Sequence, residues 1–155
     1  MSFTLASLKT AVKDYCEVSE TTFDTQLTTF ILEAEERILK NVELPVFRKN
    51  VTGTATASNT YLSTTGTPKY YALFDDNTFI LAPTPDSNYE FELHYKFRPA
   101  SLTAGADDGS TWLSTNAPDA LLYGTLVEAA TFLKNPQEVP AYEQRYAQAV
   151  AALKD

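Results

Sequence analysis

The chain has 155 residues, of which 44% are hydrophobic and 12% aromatic, so it can bury a core and is not intrinsically disordered. Its 12 basic and 20 acidic residues give a formal net charge of −8. Specific nucleic-acid binding is therefore not expected, because it depends on neutralising phosphates with Lys and Arg. The single cysteine, Cys16, rules out an intrachain disulfide and a cysteine-based zinc site, and its place on an apolar helix face predicts a small buried side chain.

The negative charge is concentrated at the two ends of the chain. Residues 1–44 carry 4 basic and 8 acidic groups, and residues 105–155 carry 3 and 7, whereas residues 45–104 carry 5 of each. No apolar run approaches the roughly 18 residues that a membrane span requires, and no charged-then-apolar leader is present. We therefore expect a soluble protein that is made in a cytoplasm and has no membrane partner.

Residues 1–44 show the apolar spacing of two helices. Thr22 is the predicted N-cap of the second helix, with Asp24 in its first turn, and Leu44-Pro45 ends the helical region. The first apolar stripe consists of Leu5, Leu8, Val12 and Tyr15. The second consists of Phe23, Leu27, Phe30, Ile31, Ala34 and Ile38. The residues mostly off this second stripe, predicted to be a solvated flank, are Glu33, Glu35, Glu36 and Arg37.

Residues 45–104 change to the patterns of β-strands. Residues 89–98 alternate strictly between aromatic or apolar and polar side chains, which predicts a half-buried strand. Tyr70–Phe74 and Phe79–Leu81 flank Asp75-Asp76-Asn77 and predict a hairpin. Residues 51–67 are predicted to form an edge strand or a mobile loop, and Ala104–Ser110 a linker back to helical sequence.

Residues 112–153 predict a second pair of helices. Pro118 and Asp119 suit the first turn of a helix, and Asn135-Pro136 ends it. The apolar stripe of its first helix consists of Leu122, Leu126, Ala129, Ala130 and Leu133. That of its second helix consists of Tyr142, Tyr146, Ala149, Val150 and Leu153. The predicted fold class is α+β: a four-helix frame (1–44 and 112–155) with a β-rich insertion (45–104) between helices 2 and 3, in a single domain over residues 1–155.

Catalytic chemistry has little support in the sequence. His94, the only histidine, lies on the polar side of the alternating strand, and no serine lies in a G-x-S-x-G turn. No nucleotide-binding glycine loop is present, and the Asp75–Asn77 and Asp107–Gly109 runs lack the ligand spacing of a calcium loop. We therefore predict no catalytic residues, no metal and no cofactor.

Two carboxylate pairs leave a distant enzymatic alternative open. Glu33 and Glu36 lie one helical turn apart, and Glu90 and Glu92 share one strand face. Such pairs serve metal binding or glycoside hydrolysis, so a carboxylate-dependent hydrolase is the alternative, although exposed carboxylates are also typical of a solvated face.

The strand region is also rich in aromatic side chains, namely Tyr61, Tyr70, Tyr71, Phe74 and Phe79. They either fill a small core or face a partner, because exposed aromatic patches on soluble domains mark interfaces.

Four blocks of this sequence resemble the phage head–tail adaptor proteins, also called connector or head-completion proteins, which form the neck ring beneath the portal. The first is residues 31–38, and the second is Leu81–Asp86 leading into the strand Tyr89–Tyr95. The third is Trp112-Leu113 with residues 118–124 and 128–130, and the fourth is residues 132–134 with 142–146. The chain departs from the family pattern at Tyr61-Leu62, which runs almost directly into residues 63–68 where relatives carry extra sequence.

The resemblance implies a structural virion protein and not an enzyme. It implies a homo-oligomeric ring, typically of twelve copies, located in the neck between the portal protein and the tail or a second adaptor. Viral DNA would pass through the lumen without specific binding, which suits an acidic wall. A tail-completion or stopper protein of the same neck is the alternative within this class.

Three groups of residues are the predicted surfaces of such a ring. The portal interface is assigned to Tyr142, Tyr146 and Leu153. The tail-side interface is assigned to Tyr70, Tyr71 and Phe74. The acidic surface or lumen is assigned to Glu33, Glu36, Asp107 and Asp108.

Overall fold

A computed structural model describes residues 2–56, 64–75 and 78–154 of the chain. Within these residues the fold is α+β, with five α-helices and two small antiparallel sheets whose strands lie between helices 2 and 3. In chain order the elements are α1 (Leu5–Cys16), α2 (Thr21–Asn41), β1 (Arg48–Ala55), β2 (Tyr70–Asp75), β3 (Thr78–Ala82), β4 (Tyr89–Lys96), α3 (Trp112–Asn116), α4 (Pro118–Phe132) and α5 (Val139–Ala151). The predicted fold class is confirmed, and the short α3 adds a fifth helix to the predicted four.

The chain divides into two compact units. One, called here the helical unit, consists of Met1–Val46 and Arg98–Asp155, and the other, the strand unit, consists of Phe47–Phe97. The single domain over residues 1–155 stays a prediction.

The helical unit is built around α4, which packs against α1, α2 and α5. Leu121, Leu126 and Ala129 of α4 are completely buried, and so are Leu27 and Ile31 of α2. Because α4 has neighbours on several sides, its buried residues run nearly around the helix, so the single apolar face predicted for it was too narrow.

Local signals explain where these helices begin. Thr4 caps α1, and Thr111 caps α3, each in a reciprocal hydrogen-bonded box with the serine three residues later. Pro118 begins α4 as predicted, with Asp119 in its first turn. The predicted cap of α2 was wrong, because the helix begins at Thr21 and Glu20 occupies the N-cap position without a side-chain hydrogen bond.

The strand unit consists of two antiparallel pairs. β1 pairs with β4 along its whole length, from Arg48 opposite Lys96 to Ala55 opposite Tyr89, and forms a ribbon. β2 pairs with β3 as the predicted hairpin. The Phe79 ring of β3 packs edge-on against Phe91 of β4, with centroids 5.5 Å apart.

Two predictions for this region fall partly outside the described residues. Part of the predicted hairpin turn, residues 76–77, is not described, and neither are residues 57–63, which include Tyr61 and the departure from the family pattern.

Candidate interaction surfaces

Tyr146 of α5 belongs to the core of its own chain. Its side chain is 4% exposed, and its ring lies against Gly124 of α4, where a Cβ atom would come within 3.3 Å of it. The Arg37 guanidinium lies 4.6 Å from the ring centroid and donates to both carboxylate oxygens of Glu143 at 2.8 Å. The exposure that we predicted for Tyr146 is therefore wrong, because α2 and α4 together cover the ring.

Tyr142 and Leu153, the other two residues of the predicted portal interface, are half-buried. Tyr142 lies near the beginning of α5, and Leu153 lies in the turn that follows the end of the helix at Ala151. The portal assignment of these two residues stays a prediction.

Tyr142 belongs to a surface, called here the tyrosine face, formed by Tyr15, Tyr123 and Tyr142 from α1, α4 and α5. Tyr15 is 51% exposed, and the nearby Tyr123 and, to a smaller extent, burial raise its pKa. Burial raises the pKa of Tyr142, and the nearby Cys16 and Glu138 raise it further by smaller amounts. Arg145 lies over the Tyr123 ring at 5.8 Å. The apolar spacing of α1 predicts a core position for Tyr15, and no sequence pattern indicates this surface, because its members come from three distant segments.

The aromatic residues of β2 are exposed, as a partner-facing surface requires. Tyr70, Tyr71 and Phe74 are 72%, 77% and 60% exposed, and Leu73, which was not predicted as a surface residue, is 81% exposed. Alternating strand residues point to opposite faces, so the hairpin shows apolar side chains on both of its faces. Phe79 differs, because it packs on Phe91.

The apolar side of the β1–β4 ribbon is only partly covered. Val51 and Leu93 lie directly opposite each other and are 47% and 42% exposed, and Tyr95 is 39% exposed. The alternation along β4 correctly predicted which residues share this side. It could not show how little of the side would be covered in one chain, because coverage depends on elements elsewhere in the fold.

The four acidic residues that we predicted for a surface or lumen lie in two places. Glu33 of α2 is exposed, and Glu36 is half-buried and paired with Arg98 and Lys40. Burial raises the pKa of Glu128 on α4, and the nearby Glu33 raises it further by a smaller amount. Asp107 and Asp108 are exposed in the loop before α3, and the Asp107 carbonyl accepts a hydrogen bond from the Ala6 amide at 2.9 Å. Their role as a lumen stays a prediction.

Glu35 is not part of a solvated flank, so the prediction of an exposed Glu35 is wrong. It is 4% exposed, and its Oε1 accepts a hydrogen bond from the Leu102 amide at 3.0 Å. Burial raises the pKa of this carboxyl group. Cys16 is half-buried, less than predicted, and burial raises the pKa of its thiol.

The part of the chain that the structure describes contains no group of three or more His, Cys, Asp or Glu residues that could hold a metal ion. His94 is exposed on the ribbon, where its Nε2 lies 3.9 Å from a carboxylate oxygen of Glu92. In residues 2–56, 64–75 and 78–154, no helix is long and apolar enough to cross a membrane.

Comparison with known proteins identifies a family. The sequence profile of the SU10 adaptor protein family matches residues 58–155, which include three of the four blocks on which the resemblance rests. No curated protein matches the chain significantly.

Proposed function

Because this chain belongs to the SU10 adaptor protein family, a family of phage head–tail adaptors, we propose that its copies form a ring in the phage neck. The ring joins the portal to the tail and extends the channel through which viral DNA passes. Family membership supports a structural role in the virion.

The observation that carries the proposal is the exposed apolar surface of β2. Four apolar or aromatic side chains of one six-residue strand, Tyr70, Tyr71, Leu73 and Phe74, are at least 60% exposed. Soluble proteins seldom leave such a cluster uncovered unless a partner covers it. Aromatic side chains also dominate the energetics of protein interfaces. We assign this strand to the tail side of the ring.

The charge of the helical unit supports a passage for DNA. This unit holds 8 basic and 15 acidic residues, a net charge of −7, whereas the strand unit has 4 basic and 5 acidic residues. A wall that carries negative charge repels the phosphate backbone, so DNA slides past it without binding. Glu33, Glu36, Asp107 and Asp108 are the residues that we assign to this wall.

For the portal contact we propose the end of α5 around Leu153. The buried Tyr146 packs α5 onto the rest of the helical unit. Tyr142 lies eleven residues before Leu153, which corresponds to about 16 Å at the helical rise of about 1.5 Å per residue. Residues 152–155 follow the last residue of α5, so they can be removed without cutting the helix.

Two variants in the phage test these assignments. We expect Tyr70→Ser/Tyr71→Ser/Phe74→Ser to yield filled heads that carry a ring but no tail. We expect deletion of residues 152–155 to yield heads without the ring, and therefore heads that leak DNA. Electron microscopy of purified particles distinguishes these outcomes, and Leu32→Ser, which changes an exposed leucine on α2, is the control.

The results can also contradict the proposal. Normal tailed particles from both variants would contradict the assignment of β2 to the tail side and of the end of α5 to the portal. Wild-type particles whose neck lacks this chain altogether would overturn the adaptor function itself. A ring that binds a first adaptor and not the portal would favour the tail-completion alternative.

A further inference from the structure

Gly53 lies inside β1, directly opposite Phe91 of β4. A glycine inside a strand indicates either a β-bulge or a place where another group comes close to the backbone. The β1–β4 register runs without a shift from Arg48 to Ala55, and Gly53 does not have a positive φ. Because neither a bulge nor the backbone conformation requires glycine here, a close approach is the reason for it.

The group that comes close is the aromatic ring of Phe91. A Cβ atom added at Gly53 would lie 2.6 Å from the Cζ atom of Phe91, and 3.0 and 3.2 Å from its two Cε atoms. Carbon atoms that are not bonded to each other pack at about 3.5–4.0 Å, so any other residue at this position has to displace the ring. Directly opposite residues share one side of the ribbon, and the Phe91 ring fills the space that a side chain of residue 53 would take.

The Phe91 ring in turn contacts the β2–β3 hairpin. The Phe79 ring of β3 packs edge-on against it, with centroids 5.5 Å apart and an interplanar angle of 88°. Such edge-to-face pairs are favourable only at particular relative orientations of the two rings. Phe79 lies directly opposite Leu73 of β2, which is 81% exposed. A shift of the Phe91 ring would therefore move Phe79 and, with it, the exposed strand β2.

The hairpin is also attached at its base. β3 leads into β4 through residues 83–88, and the Tyr89 hydroxyl of β4 lies 3.1 Å from the hydroxyl of Thr67, just before β2. Phe79, the second residue of β3, lies near the opposite end of the hairpin, next to its turn. Two attachments that lie apart fix the direction of the hairpin, whereas an attachment at the base alone would let it tilt.

We propose that Gly53 is a positioning residue for the tail-side surface. Gly53 leaves space for the Phe91 ring over β1, the Phe91 ring receives Phe79, and this contact holds β2 at the angle at which a tail protein covers its exposed side chains. The inference rests on the proposed assignment of β2 to the tail side. It gives a role to a residue that acts on that surface only through the two phenylalanines.

Gly53→Ala tests this role. At a strand position with free space, alanine is more favourable than glycine, because glycine loses more conformational freedom on folding. Under the Phe91 ring, alanine overpacks the site, which disfavours the contact of the hairpin with the ribbon by roughly tenfold to hundredfold. We expect the fraction of heads with a neck ring that also carry a tail, counted by electron microscopy, to fall on the order of tenfold. Formation of the neck ring and the circular dichroism of the helices should be as in wild type.

Gly66→Ala is the matched control, because it makes the same change in the strand unit at a glycine with space. The nearest atom to a Cβ added there is the Cγ atom of Pro83, at an ordinary contact distance of 3.4 Å. This variant should carry tails as wild type does. Phe91→Leu lacks the Cζ and Cε atoms that an alanine at position 53 would strike. In that background Gly53→Ala should therefore reduce the number of tails no further, which a double-mutant cycle measures.

NMR separates a change in the angle of the hairpin from a general loss of stability. The Phe79 and Phe91 rings should shift each other's proton resonances in the wild-type chain, and Gly53→Ala should reduce these ring-current shifts while Gly66→Ala keeps them. Phe79→Leu is a second variant that removes the aromatic contact without placing any atom against the β1–β4 ribbon. It should also lower the fraction of heads with tails, so the inference can be tested even if Gly53→Ala disturbs the ribbon.

Several results would overturn the inference. Normal tails in Gly53→Ala would do so, and so would an equal loss in Gly66→Ala or a loss of tails with unchanged ring-current shifts. An undiminished effect of Gly53→Ala in the Phe91→Leu background would show that the alanine does not act through this ring.

These results can be distinguished from a failure of the proposed function. If Tyr70→Ser/Tyr71→Ser/Phe74→Ser removes the tails while Gly53→Ala keeps them, the positioning role is wrong and the assignment of β2 to the tail side stands. If both variants carry normal tails, that assignment is wrong and the positioning role is wrong with it, although a neck ring that contains the chain would still support the adaptor function.

Discussion

In the helical unit Leu121 and Leu126 are completely buried, whereas in the strand unit Leu73 and Tyr71 are 81% and 77% exposed. Both units contain strongly apolar segments, but only the helical unit buries the apolar side chains of its own segments. α4 packs against four other helices (α1, α2, α3 and α5), while β2 pairs only with β3 among the described strands. A two-stranded hairpin has little ability to bury side chains by itself. The helical unit therefore buries most of its apolar residues within one chain, whereas the strand unit leaves much of its apolar surface exposed.

The largest effect that this comparison predicts is at Tyr146. We expect Tyr146→Ala to lower the free energy of unfolding by about 3–5 kcal/mol, the cost typical of removing a buried aromatic ring. Tyr142→Ala, on the same helix but half-buried, should cost clearly less. Chemical denaturation of the two variants measures the difference. If both variants lost the same free energy of unfolding, Tyr146 would not differ from Tyr142 as a core residue differs from a surface residue.

A matched pair of leucines tests the comparison directly. Leu126→Ala should lower the free energy of unfolding by about 2–5 kcal/mol, because it leaves a cavity in the core of the helical unit. Leu73→Ala should change it by no more than about 0.5 kcal/mol, as is usual for exposed positions. If Leu73→Ala lowered the free energy of unfolding strongly in the same denaturation experiment, the Leu73 side chain would have to pack within its own chain more than its exposure indicates.

A smaller effect is predicted at Glu35, where the helical unit buries a carboxylate. Glu35→Ala should cost about 1–3 kcal/mol, because the Leu102 amide then loses its acceptor in a buried place. Glu35→Gln keeps an oxygen acceptor and should cost less than Glu35→Ala at every pH. Thermal melting of the three proteins compares them.

The stability difference between Glu35→Gln and wild type, measured as a function of pH, tests whether burial raises the pKa of Glu35. Burial raises the pKa of Glu35 in the folded chain, so the folded state holds this proton more tightly than the unfolded state does. The resulting stability is fully present below the unfolded pKa and is lost as the pH rises through the raised folded value. The stability of Glu35→Gln relative to wild type should therefore increase over that interval. A difference that stays constant with pH would contradict the raised pKa.

Much of the fold could be predicted from the sequence because it depends on local periodicity and local chemistry. The spacing of apolar residues in α1 and α2, the proline at the start of α4 and the alternation along β4 each act within a few residues. The order and spacing of the four blocks also led to the correct family, which the match over residues 58–155 confirms. The short α3 was missed, because five residues carry too little periodicity to indicate a helix.

Exposure could not be predicted in the same way, because it depends on which distant segments meet. Tyr142 and Tyr146 lie on one helical stripe, and Glu35 lies between two more exposed glutamates, so their local patterns do not separate them. The sequence by itself determined the type and order of the longer elements, the acidic balance and the family. Only the tertiary structure decided that Tyr146 and Glu35 are buried while Tyr70, Tyr71 and Phe74 are exposed, because burial arises from packing between elements far apart in the chain.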